Sequence, residues 1–206
     1  MIANDFVHGT LFGLHKSKKT MSTLSNKRVA ILATDGYEQS ELESPMVALK
    51  SQGVKVDIVS PSAKEITGWS NGNWSKTQSV DVELENAHAK DYDALVLPGG
   101  VINPDKLRRN DKAVSFVRNF FEQHKPVAAI CHAPWLLVEA DVVNGRKMTS
   151  FHSISKDLKN AGADWVNEAV VVDSGLITSR SPQDLEAFNA KLIEEVKEGK
   201  HEEQTV

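Results

Sequence analysis

The chain has 206 residues, 40% hydrophobic and 25% charged, which is the balance of a soluble globular protein of one domain, or at most two small ones. A net charge of −4 gives no basic excess for nucleic acid or an anionic membrane surface. One cysteine can close no internal disulfide, which fits a reducing, cytoplasmic compartment and leaves a free thiol to account for.

In residues 1–26 the apolar side chains are scattered among Asn, Asp, His and Gly. No run there is long enough for a signal peptide or a membrane span. Lys16, Lys18 and Lys19 read as a solvated cluster, and Met21 offers an alternative start. This leader is expected to be unstructured or an added arm.

"RVAILAT" (28–34) is a nearly continuous apolar run, so it predicts a strand buried on both faces. "SELESPMVALKSQG" places Leu42, Met46 and Leu49 at helical spacing and stops at Gly53; Pro45 is expected to kink it or to sit in its first turn. "VKVDIVS" completes a parallel strand–helix–strand unit with a right-handed crossover. "ITGWSNGNWSKTQSVDVEL" predicts a hairpin or long turn, in which Trp69 and Trp74 could cap a site, with aromatic packing the favoured role. "DALVLPGG" is a buried strand ending in Gly99 and Gly100.

"DKAVSFVRNFFEQHK" predicts a helix with Val114, Val117 and Phe121 on its inner face. "PVAAI" is a strand, "PWLLVEADVV" a helix, "RKMTSF" a short strand, and "SISKDLKNAG" a helix closed by Gly162. "EAVVVDSGLITSR" predicts a hairpin turning at Ser174–Gly175, and "SPQDLEAFNAKLIEEVKEG" a terminal helix with Ser181 as N-cap and Pro182 in first position. Residues 199–206 read as a charged tail. Alternating strands and helices predict one domain over 27–198: an α/β, doubly wound, mostly parallel sheet with helices on both faces.

Ligands in such a sheet bind beyond the carboxyl ends of its strands. Cys131 lies at one such end, in "VAAICHAPWLL", with almost no loop between strand and helix. This is the logic of a nucleophile elbow, with Ala129 and Ala133 as the small neighbours it needs. The start of a helix favours a thiolate, so the Cys131 pKa is expected to lie below the free value of about 8.5. The alternative is an inert buried cysteine. His132 follows directly as a proton acceptor, and the N–H groups of Gly100 and His132 are placed to form an oxyanion hole. Glu38, Glu41 and Asp105 are the carboxylates at neighbouring strand ends, and His152 also follows one. The other histidines (His8, His15, His88, His124 and His201) lie in tails or polar stretches. Neither metal-ligand spacing nor a dinucleotide or phosphate-loop motif is present, so no metal and no cofactor are expected.

The blocks "DGYEQSELESP", "YDALVLPGG", "NPDKLR", "KPVAAICHAPWLL", "KDLKNAGADW", "VVVDSGLITSR" and "PQDLEAF" occur in order and cover nearly all of Arg28 to Glu198. In these blocks the chain resembles the PfpI-like proteins, meaning the intracellular protease I group and the related deglycases of the class I glutamine amidotransferase-like superfamily. The resemblance implies a flavodoxin-like sandwich with Cys131 as nucleophile and His132 as its partner. It implies Glu41 as the acid that tunes the sulfur, Gly100 at the oxyanion hole, and His152 near the cysteine. It further implies Asp105 as an acid reaching the Cys–His pair of a neighbouring subunit, hence a homodimer or larger. Two residues depart from the family pattern: Ala133 stands where Gly is usual, and Asp105 is one methylene shorter than Glu. The implied activity is cysteine-dependent action on small carbonyls or glycation adducts. A peptidase with a Cys131–His132–Asp105 triad, and a redox sensor or stress chaperone, are the alternatives. No nucleic acid or membrane partner is implied.

Overall fold

The computed structural model describes residues 24–204 and 206. The expectations for residues 1–23, including the lysine cluster and the Met21 start, lie outside the described residues. Leu24, assigned by sequence to the leader, is buried in the core, and its N–H bonds the carbonyl of Gln52 at 3.0 Å. The domain therefore begins before residue 27.

The elements in chain order are β1 (Arg28–Leu32), α1 (Gln39–Ser51), β2 (Lys55–Ser60), β3 (Glu65–Ser70), β4 (Asn73–Ser79), β5 (Val82–Glu83), β6 (Ala94–Leu97), α2 (Ile102–Leu107), α3 (Asp111–Glu122), β7 (Val127–Ile130), α4 (Pro134–Glu139), β8 (Lys147–Met148), α5 (Ser155–Asn160), β9 (Asp164–Trp165), β10 (Val170–Asp173), β11 (Leu176–Ser179) and α6 (Leu185–Glu198). Seven strands form one sheet in the order β10-β11-β7-β6-β1-β2-β5. All neighbours in it are parallel except β10 and β11. These two meet at Ser174 (φ 48°) and Gly175 (φ 86°), the left-handed pair that a tight hairpin turn requires.

Strand alternation sends Val29, Ile31, Ala128 and Ile130 to one face, where Leu42, Leu49, Phe188 and Leu192 of α1 and α6 cover them. Ala30, Leu32, Leu95 and Ala129 face the other way, onto α3 and α4. Burying one such aliphatic or aromatic side chain stabilises the fold by about 1.5–3 kcal/mol. Of the inner face predicted for α3, Val117 and Phe121 are buried, Val114 only partly, and Phe116 and Phe120 complete the stripe. Pro45 sits inside a continuous α1 rather than in its first turn. Ser181 makes no side-chain cap: Pro182 starts a 3-10 turn, and α6 begins only at Leu185. Among the described residues no helix is long and apolar enough to cross a membrane.

Candidate active site

The carboxyl ends of β1, β6, β7 and β11 converge on one cavity of about 460 Å³, bordered by Glu38, Glu41, Trp69, Gly100, Cys131, His132 and Phe151. β7 ends at Ile130 and α4 starts at Pro134, so the chain reverses over three residues. Cys131 takes a φ of 63°, a left-handed conformation that is strained for a non-glycine residue. Three backbone hydrogen bonds hold it there: Cys131 N–H to Ser179 O at 3.0 Å, Ala133 N–H to Ile130 O at 3.0 Å, and Phe151 N–H to Cys131 O at 2.9 Å. The elbow expected from "VAAICHAPWLL" is thus present.

The glycine pair after β6 exists because the backbone passes so close to this apex. A Cβ on Gly99 would lie 2.7 Å from Cys131 Cβ and 2.6 Å from Glu41 Oε2. One on Gly100, whose φ is 77°, would lie 2.5 Å from the carbonyl oxygen of Gly36. Fully buried Asn103 locks the turn, donating to Pro98 O at 2.8 Å and accepting the Thr34 N–H at 2.8 Å.

Four groups surround the Cys131 sulfur. His132 Nδ1 lies 3.1 Å from Sγ. The backbone N–H groups of Gly100 and His132 favour negative charge on the sulfur, and the Glu41 carboxyl lies beside Cys131 across Gly99. Glu41 is fully buried: its Oε2 accepts the Gly99 N–H at 2.9 Å, and Oε1 has no hydrogen-bond partner. Burial, reinforced by Glu38, pushes the Glu41 carboxyl up to about 8. At neutral pH Glu41 therefore carries its proton and can donate it toward the sulfur.

The low thiol pKa expected from the helix start is not what the surroundings favour. Burial first, and the charge of Glu41 once it ionises, push the Cys131 thiol up, and the Gly100 and His132 N–H groups only partly oppose them. Only six residues long, α4 offers little dipole to set against desolvation. Burial, and then His152, lower the His132 pKa, so the imidazole is neutral and free to accept a proton.

The remaining expected residues fall elsewhere. Asp105 lies on α2 with 45% of its side chain exposed, paired to Arg108 at 2.7 Å, and makes no contact with His132 of its own chain. The Arg108 guanidinium covers the Trp135 ring at 4.7 Å, and Trp135 meets His132 edge-on at 5.2 Å. His152 is exposed and lines a neighbouring cavity with Phe151, Asn167 and Arg180. Its neighbour Phe151 intervenes, stacked on His132 at 4.9 Å. Trp69 borders the Cys131 cavity while packing edge-on against Trp74.

The residue missed from the sequence is Ser153, whose Oγ lies 3.1 Å from His132 Nε2. It occupies the place of the orienting acid in a Cys–His–acid triad. Only the course of the loop after β8 decides that Ser153, rather than His152, faces the imidazole. Among the described residues, the only group of three or more His, Cys, Asp or Glu side chains whose ligand atoms lie within 4.8 Å of one another is at the end of α6, not here.

Residues 27–195 match the model of the DJ-1/PfpI family. The chain is 41% identical over 169 residues to protein/nucleic acid deglycase 2 of Escherichia coli, covering 82% of this chain and 96% of that one. It is also 41% identical over 169 residues to YraA of Bacillus subtilis, whose name assigns it a provisional cysteine-protease activity, covering 82% of this chain and 97% of the relative. A crystal structure of a two-domain Anabaena variabilis protein with DJ-1/ThiJ/PfpI-like and ferritin-like domains superposes with a TM-score of 0.78 at 41% identity, covering 83% of this chain and 48% of that one. With the elbow and doubly wound sheet in place, these matches establish that the chain belongs to the DJ-1/PfpI family.

Proposed function

We propose that this protein is a cysteine-dependent enzyme acting on small carbonyl compounds and early glycation adducts. The observation that carries the reading is the Cys131–His132 pair, 3.1 Å apart, opening into a largely apolar cavity of about 460 Å³. Sγ attacks the carbonyl carbon, forming the S–C bond as the C=O π pair moves to oxygen. His132 Nδ1 takes the thiol proton and returns it to that oxygen, giving a hemithioacetal. A thiol pushed up by burial suits this concerted use of a neutral base. It suits a peroxide sensor less well, because a sensor needs a standing thiolate.

The test is a panel offered to the purified full chain: methylglyoxal, a methylglyoxal-modified amino acid, and unmodified peptides. Turnover of the first two is expected. Cleavage of peptides alone would instead favour the peptidase reading, which the name of the Bacillus relative supports.

Ser153 acts through His132. A hydrogen bond from Nε2–H to Ser153 Oγ leaves Nδ1 unprotonated and aimed at sulfur. Ser153→Ala is expected to lower kcat/KM by about tenfold, with recovery in Ser153→Thr. A pH–rate profile with unchanged limbs and unchanged rate would assign Ser153 to packing alone.

Asp105 is proposed to complete the site of a neighbouring subunit in a homodimer or larger assembly. Asp105→Ala should then lose turnover by itself and regain part of it after subunit exchange with an inactive Cys131 variant, whose intact Asp105 completes one site in each mixed pair. Full activity in a strictly monomeric form, followed by sedimentation, would remove this role. A cytoplasmic location is proposed with it, on the single free thiol.

A further inference from the structure

Beyond α6 the chain does not leave the domain as a charged tail. Gly199 (φ 91°) turns it, with its N–H on Glu195 O at 2.9 Å. His201 N–H then bonds His124 O at 2.9 Å, Gln204 N–H bonds His201 O at 2.9 Å, and Gln204 O lies 2.6 Å from His124 Nδ1. This return places the ligand atoms of Glu195, Glu198 and His201 within 4.8 Å of one another.

Three features of this cluster go beyond an ordinary ion pair. Glu195 is 5% exposed, and its Oε2 lies 2.7 Å from His201 Nε2, yet neither atom makes a well-formed hydrogen bond. Gln204 is fully buried, and neither atom of its carboxamide has a partner. That carboxamide sits beside the His201 ring: a Cβ built on Gly175 would lie 2.7 Å from His201 Cδ2 and 2.9 Å from Gln204 Oε1. Finally, Glu195 and Glu198 lie in the last turn of a 14-residue helix, with Lys197 the one basic residue of that turn, at the negative pole of the dipole, where carboxylates are unfavourable and a cation is favoured.

We propose that Glu195, Glu198 and His201 form a binding site for a divalent transition-metal ion of the Zn²⁺ class, with the Gln204 carboxamide beside it. Two carboxylate oxygens and one imidazole nitrogen suit such an ion better than Mg²⁺ or Ca²⁺, which favour all-oxygen shells. The bound ion clips the C-terminal segment to α6 and over the Gly175 turn. That turn is at the amino end of β11, while Cys131 is at its carboxyl end, about 13 Å away along the strand. The site is therefore structural and separate from the elbow.

The test is zinc titration of the full chain carrying Cys131→Ser, because a thiol is itself a zinc ligand. Affinity is read by competition with a chromophoric chelator and stability by thermal unfolding. One zinc per chain and a raised Tm are expected, with Mg²⁺ failing to compete. Glu198→Gln and His201→Gln should each weaken binding at least about tenfold and remove the rise in Tm. Glu198 is exposed, so its variant folds, and circular dichroism checks His201→Gln. Zinc binding that is absent, or undiminished in both variants, would overturn the proposal and leave Glu195–His201 as a plain ion pair.

Discussion

Cys131→Ser is expected to lower kcat/KM for methylglyoxal at least about a thousandfold while leaving the fold intact. A hydroxyl is a far weaker acid than a thiol, and the base at 3.1 Å from the sulfur is an imidazole whose pKa burial has lowered. Serine fits the same strained apex, because the φ of 63° is held by backbone bonds that do not involve the side chain. The measurement is loss of methylglyoxal under steady-state conditions, with circular dichroism and Tm as folding controls. A serine variant within tenfold of wild type would sink the cysteine mechanism and move attention to binding or holdase roles.

Glu41 makes the protein less stable as pH rises. Its carboxyl titrates near 4.5 in the unfolded chain and near 8 when folded. Between those values the folded state holds a proton that the unfolded state has released. The stabilisation is therefore complete below pH 4.5 and is lost as pH passes about 8. Its slope approaches about 1.4 kcal/mol per pH unit. Glu41→Gln removes the titration but keeps an oxygen for the Gly99 N–H and an N–H for the sulfur. Urea unfolding from about pH 5 to about pH 8 should thus give a difference curve in which wild type loses ground to Glu41→Gln as pH increases. Parallel profiles would mean that Glu41 is ionised in the fold. Its role as a proton donor toward Cys131 would then be withdrawn.

Much of this architecture is legible along the chain because local patterns report local constraints. Continuous apolar runs such as "RVAILAT" and "DALVLPGG" require burial on both faces, and helices between them leave a parallel sheet as the consistent solution. The hairpin at Ser174–Gly175 and the elbow at Cys131 were equally readable, since each depends on residue types at adjacent positions. Pattern fails where a decision depends on neighbours distant in sequence. Ser181 heads a plausible capping sequence, yet the helix it would cap starts four residues later. Residues 199–206 look like a solvated tail by composition, yet Gln204 is fully buried, because His124 and the Gly175 turn offer it a seat.

The site divides in the same way. Cys131, His132, Gly100 and Glu41 were named from sequence, and the fold brings them around one sulfur. Which partner orients the imidazole was not accessible: Asp105 points to Arg108, His152 turns outward, and Ser153 takes the Nε2 position. These choices rest on the path of a loop across the molecule, which no short-range periodicity encodes. Alone, the sequence determined that a thiol sits at a strand-to-helix apex in a doubly wound sheet, since backbone conformation follows from local residue types. Only the tertiary structure decided the protonation of that thiol and of Glu41, because desolvation depends on everything packed around them.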